Sequence, residues 1–127
     1  MSLQIQQRET EGIVILDLVG DLVFGPEDAE LRDKLLALRT AGQVNIIFNL
    51  KEVHRIDSTG LGTLVFALAR LRKAGGNLAL ANLNRSHLQL LQLTRLGLAF
   101  ERRFTGLEGI RAFLDGAAET RQAPWPA

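Results

Sequence analysis

The sequence predicts an α/β fold, a single domain on a mixed central sheet of four to five strands flanked by about four helices. Three observations predict it. Short segments rich in β-branched and apolar residues alternate with segments whose leucines recur at helical spacing. The first two strand-like segments are separated by a turn alone, which joins them as a hairpin. The second of these segments is apolar on both faces, as a strand inside a sheet must be.

Taken in order, Leu3–Glu9 and Gly12–Leu18 are the hairpin strands, turning through Thr10-Glu11-Gly12. In the second, Val14, Leu16 and Leu18 alternate with Ile13, Ile15 and Asp17. Gly25-Pro26-Glu27-Asp28 opens a helix, because proline suits a first turn and acids suit the positive end of the helix dipole. Leu31, Leu35 and Leu38 follow at helical spacing and Gly42 closes the segment. Val44–Leu50 reads as a buried strand, after which Val53 and Ile56 lead into Asp57-Ser58-Thr59-Gly60-Leu61-Gly62. A second helix starts there, with Leu61, Leu64, Val65, Leu68 and Leu71 as its apolar face and Gly75-Gly76 as its stop. Leu78, Leu80 and Leu83 surround a fourth strand. Ser86–Leu96 is the third helix, with Ser86 as cap and Leu90, Leu91 and Leu93 turned inward. Ala99–Phe104 is a fifth strand at the edge, and Gly106–Leu114 a last helix. Right-handed crossovers then lay the helices on the sheet faces. The domain is expected over residues 1–116, and residues 117–127, which end in Pro-Trp-Pro without periodicity, as a flexible tail.

A chain of 127 residues is long enough for one core without covalent staples. It has no cysteine, which removes disulfides and thiolate metal sites. His54 and His87 are far apart in the sequence, so no metal and no cofactor is expected. Residues 1–20 lack a basic start followed by an apolar run, and no apolar stretch approaches the roughly 20 residues needed to span a bilayer. A cytoplasmic protein without membrane contact is the expectation. Residues 1–65 carry 6 basic and 10 acidic groups and residues 66–127 carry 9 and 4, so the two halves differ in sign. The basic residues are spread over several predicted helices and aromatics are scarce, which argues for solvated helix faces and against nucleic acid.

The segment Asp57-Ser58-Thr59-Gly60-Leu61-Gly62 lies where a strand ends and an apolar helix begins. In open α/β sheets that end of the strands is where ligands and partners are met. Asp57 or Ser58 is a natural helix cap. Two glycines in the first turns weaken the helix, each by roughly 0.5–1 kcal/mol against alanine. Gly60 has a use in the turn itself; Gly62 points to close approach of another backbone or helix. Two readings fit this segment: a capped helix packed closely on a neighbouring strand, or a bare surface beside an exposed hydroxyl where a partner docks.

Asp57 to Gly62, preceded by a strand and followed by an amphipathic helix ending in Gly-Gly, resembles the signature of the STAS domain of anti-sigma factor antagonists. Gly20-Asp21-Leu22 is similar to that family's Gly-acid-aliphatic turn. Ile46-Ile47-Phe48-Asn49-Leu50 resembles its strand before the signature, and Gly75-Gly76-Asn77-Leu78 its turn into the next strand. The likeness runs on through Leu83, Leu91 and Leu96-Gly97-Leu98 and covers about residues 3–115. One departure stands out: many members carry an acid just after the Gly-acid-aliphatic turn, where this chain has Val23.

The resemblance implies a partner-switching protein. Ser58 would be phosphorylated by an anti-sigma factor that is also a serine kinase, and a serine phosphatase would reset it. Asp57, Ser58, Thr59, Gly60, Leu61, Gly62 and Asp21 would form the partner-binding set, with ATP and magnesium belonging to the kinase. A monomer or weak homodimer is expected, given exposed edge strands. An enzyme is not. Ile56 stands where a nucleophile elbow needs glycine, no Walker A sequence occurs, and His54 beside Asp57 and Ser58 does not make a triad. The alternative is a STAS interaction module of another signalling assembly, a stressosome-like scaffold or a nucleotide- or lipid-sensing accessory, that is never phosphorylated.

Overall fold

The computed structural model describes residues 3–96 and the two-residue strand at 103–104. Along these residues run β1 (Leu3–Thr10), β2 (Ile13–Leu22), α1 (Pro26–Thr40), β3 (Asn45–Ile56), α2 (Ser58–Lys73), β4 (Asn77–Ala81), α3 (Arg85–Leu93) and β5 (Arg103–Phe104). The strands form one five-stranded sheet in the order β1-β2-β3-β4-β5. β1 is antiparallel to β2 and every later pairing is parallel. This is the mixed α/β sheet expected from the sequence. The expected fifth strand is present at its end, Arg103–Phe104, while the helix over 106–114 and the tail over 117–127 lie outside the described residues.

The hairpin forms because Glu11 and Gly12 both take positive φ, 50° and 80°. That mirror-type turn matches the right-handed twist of the strands it joins. β2 then supplies Val14, Leu16, Leu18 and Leu22 to one face of the sheet, where they meet Leu31, Leu35 and Leu38 of α1 and Leu61, Leu64, Leu68 and Leu71 of α2. Its other face contributes Ile13 and Ile15 to a smaller buried cluster with Ile47, Ala79 and Ala81. On that second face a polar chain crosses the sheet. Arg8 donates to Asp17 at 2.5 Å, Asn49 Nδ2 to Asp17 at 2.7 Å, and Asn82 Nδ2 to Asn49 at 2.8 Å. Burial pushes the Asp17 carboxyl up, but the hydrogen bonds from Arg8 and Asn49 outweigh it and hold the group below its usual range.

Two elements differ from the sequence reading for a physical reason. β3 continues past Leu50 to Ile56 although Lys51, Glu52, His54 and Arg55 are polar. β4 pairs with β3 only as far as Asn49, so beyond that point β2 is the only strand beside β3 and its charged side chains stand in solvent. α3 is capped by Asn84, not Ser86. Asn84 Oδ1 accepts from the His87 N–H at 2.8 Å and the Asn84 N–H donates to His87 Nδ1 at 3.2 Å, a capping box with histidine in the usual Glu or Gln position. The helix ends at Leu93, which is 82% exposed; Leu91 is the leucine turned fully inward.

Candidate functional site

Since β2 and β3 are parallel, their C-terminal ends finish at one edge of the sheet, and α1 and α2 start beside each other there. Asp57 joins these parts. As N-cap of α2 it accepts the Gly60 N–H on Oδ1 at 2.9 Å, and on Oδ2 it accepts the Phe24 N–H at 3.0 Å. Its own N–H donates to the Leu22 carbonyl at 3.3 Å. Hydrogen bonds from the N–H groups of Phe24, Gly60 and Thr59, with a smaller effect of Arg55, hold its carboxyl below the usual range against the effect of burial. Asp57 is thus an anion that ties the loop after β2 to the first turn of α2.

Gly60 explains why that turn is so close. A Cβ there would lie 1.9 Å from the Leu22 carbonyl oxygen, so only glycine lets α2 rest against the end of β2. Gly62 is different. It is exposed, and beyond its chain neighbours and its own helix backbone the nearest atom to a Cβ built there is Arg32 Nη2 at 4.0 Å. The close approach that the sequence reading assigned to Gly62 therefore belongs to Gly60. The two positions are about 200° apart around the helix, so one faces the sheet and the other faces water.

Ser58 is exposed, and among the described residues its hydroxyl has no hydrogen-bond partner. Thr59 is half-buried. Leu61 lies in the core, and Asp21, in an irregular stretch of β2, is 9% exposed. Of the seven residues expected to meet a partner, Ser58 and Gly62 form open surface, with Asp57 and Thr59 at its margin. Gly60, Leu61 and Asp21 are buried and shape it from behind.

Sequence reasoning missed part of this surface. Val65, expected to face inward, is 38% exposed and continues the line from Ser58 and Gly62 at helical spacing. Phe24, whose N–H Asp57 of the signature holds, is 81% exposed. The spacing i, i+4, i+7 from Ser58 was the available signal for Val65; Phe24 carried none. Also missed was the anchor between the helices. Buried Thr63 donates to Asp28 of α1, and Arg32 Nε donates to Thr63 Oγ1 at 3.1 Å and to Asp28 Oδ2 at 3.3 Å. The Arg32 guanidinium sits 5.0 Å from the centroid of Phe66.

On the other flank, a groove of about 410 Å³ runs between the end of β3, with His54, Arg55 and Ile56, and the Leu90 and Leu93 side of α3. His87 closes its base, with Nε2 placed 3.0 Å from the Val53 carbonyl. No group of three or more metal-ligating side chains occurs among the described residues, and no helix among them is long and apolar enough to cross a membrane.

A family profile described as the STAS domain matches residues 4–106. The chain is 30% identical over 96 residues to the anti-sigma-B factor antagonist of Bacillus subtilis, covering 76% of this chain and 86% of that one. It is 27% identical to the anti-sigma F factor antagonist of Paenibacillus polymyxa, covering 76% and 82%. Among solved structures it is similar to the Bacillus cell fate determinant SpoIIAA in its phosphorylated form. There the TM-score is 0.67 at 22% identity, with 86% of this chain and 96% of that chain covered.

Proposed function

This chain belongs to the STAS-domain family, and on that premise we propose that it is an anti-sigma factor antagonist switched by phosphorylation of Ser58. In this reading the unmodified protein binds, in the cytoplasm, an anti-sigma factor that is also a serine kinase, and so releases a sigma factor. The observation that carries the reading is the Ser58 hydroxyl, exposed and unpartnered among the described residues at the first turn of a helix locked by Asp57 and Gly60. Gly62 and Val65 continue its face of α2 as exposed, sparsely covered surface, and exposed Phe24 is tied to the adjacent Asp57, the kind of apolar surface a partner desolvates. Two relatives named as anti-sigma factor antagonists support the partner class.

The chemistry asked of this chain is slight. Ser58 Oγ attacks the γ-phosphorus of the kinase's ATP, the kinase base takes its proton, and ADP leaves. The product adds about −1.5 to −2 charge next to the Asp57 carboxylate. The helix N-terminus tolerates an anion there, so the fold survives. A partner face built to cover a neutral hydroxyl does not. A serine phosphatase returns the protein to its binding state.

Incubation with serine-kinase anti-sigma factors and ATP, followed by mass spectrometry, tests the proposal. Phosphate on Ser58, lost in Ser58→Ala, is the expected result. No phosphate on the chain with any of them, while it still binds a partner, would favour the second reading, a STAS interaction module that is never modified. Val23, half-exposed where many members carry an acid, is the feature that favours that reading.

A further inference from the structure

Gly62 is a gap with something on each side of it. Along α2, residue 62 lies one turn from Ser58 on the same face, with Cβ positions normally about 5–6 Å apart. Across from α1, Arg32 brings Nη2 to 4.0 Å from where a Cβ of residue 62 would be, and apart from Leu61, Thr63 and the nearby backbone of α2 no other heavy atom lies within that distance. The guanidinium is held in place: Nε is bound to Asp28 and Thr63, and its Cζ sits over the Phe66 ring, 5.0 Å from the centroid. Among the described residues its Nη groups donate to nothing, so the free edge of the fork is the edge towards the gap. Arginine presents parallel donors that match phosphate oxygens, and a guanidinium already fixed by its neighbours loses little freedom on binding.

Resting on the reading that Ser58 carries the phosphate, we propose that Arg32 receives it. The phosphoryl group turns over Gly62 and is gripped by the Arg32 Nη donors. A side chain at 62 would stand in its way, which gives this exposed glycine a use that packing does not. The phosphate then fills the bare surface that a partner would cover, so release works by occlusion as well as by repulsion. Arg32 is here a positioning residue for the modified state and takes no part in phosphoryl transfer.

The test uses the full chain with phosphoserine installed at position 58 during synthesis, so no kinase is needed. Phosphorus NMR then follows the second ionisation of the phosphoserine, ordinarily near pH 6. We expect its midpoint to lie at least about half a unit lower than in Arg32→Gln, with Arg32→Lys between them. The helix N-terminus acts on all these proteins alike and drops out of the comparison. Because Arg32→Gln also cuts the ties to Asp28 and Thr63, Gly62→Leu serves as the second variant: it leaves those ties intact and is expected to raise the midpoint by filling the gap. Equal midpoints in wild type, Arg32→Gln and Gly62→Leu would overturn the proposal. That result would leave kinase labelling of Ser58 untouched. Absence of labelling would likewise leave the NMR comparison standing.

Discussion

Gly60 and Gly62 are two positions apart and carry opposite energetic consequences. A methyl group on Gly60 would run into the Leu22 carbonyl, which is backbone and cannot swing aside. Gly60→Ala is therefore expected to lose on the order of 1–3 kcal/mol or more, as overpacking does. At Gly62 there is room for the methyl, and alanine is the better helix former by roughly 1 kcal/mol. Gly62→Ala is expected to raise the urea midpoint of unfolding while weakening partner binding. A loss of stability at Gly62, or none at Gly60, would contradict the assignment. Asp57 belongs to the same scale. Asp57→Ala removes the cap and the tie to Phe24, and the cap alone is worth about 0.5–2 kcal/mol. Its carboxyl is depressed in the folded state, so as pH falls the unfolded chain takes up the proton first. Its stabilisation is complete above the ordinary carboxylate value of 3.8 and is lost as pH falls below it. An acid titration of stability, flatter in Asp57→Asn, checks this. Much of the site was legible at this scale: a cap, a hydroxyl and glycines at a strand-to-helix junction. Which glycine touches the strand was not, because that depends on how α2 sits against Leu22.

At the scale of elements, the capping box of α3 couples a helix to β3 through one imidazole. His87 receives the Asn84 N–H on Nδ1 and reaches the Val53 carbonyl with Nε2. Burial pushes its pKa below 6.5, partly opposed by the bond to Val53. A proton on Nδ1 would abolish the acceptor that Asn84 uses. As pH falls below 6.5 the unfolded state is protonated first, so stability should decline until folded His87 also takes the proton. Stability measured by urea unfolding across that range should slope in wild type and be flatter in His87→Gln. Asn84→Ala should cost about 1 kcal/mol at neutral pH. The cap escaped sequence reading because Asn-x-x-His does not carry the usual acid or amide three residues on, and Ser86 was the more obvious candidate. β3 escaped in part for a related reason. Polar residues from Lys51 to Arg55 read as the end of a strand, whereas they mark the place where β4 stops and solvent begins.

For the molecule as a whole, the layer architecture was legible because strand and helix periods alternate so regularly, and because β2 is apolar on both faces. The parallel order β2-β3-β4-β5 puts the ends of β2 and β3 at one edge, where the loop after β2 and the start of α2 hold each other through Asp57. This arrangement lets a charge appear at Ser58 without disturbing the core, since the hydroxyl lies outside it and the supporting bonds run behind. The proposed switch would then be a change of surface on a fixed scaffold. Its most direct test is the affinity of the unmodified chain and of the phosphoserine-58 chain for a serine-kinase anti-sigma factor, measured calorimetrically. A dianion turned against a desolvated interface should weaken binding by about tenfold to hundredfold or more. Equal dissociation constants for the two forms would contradict the account.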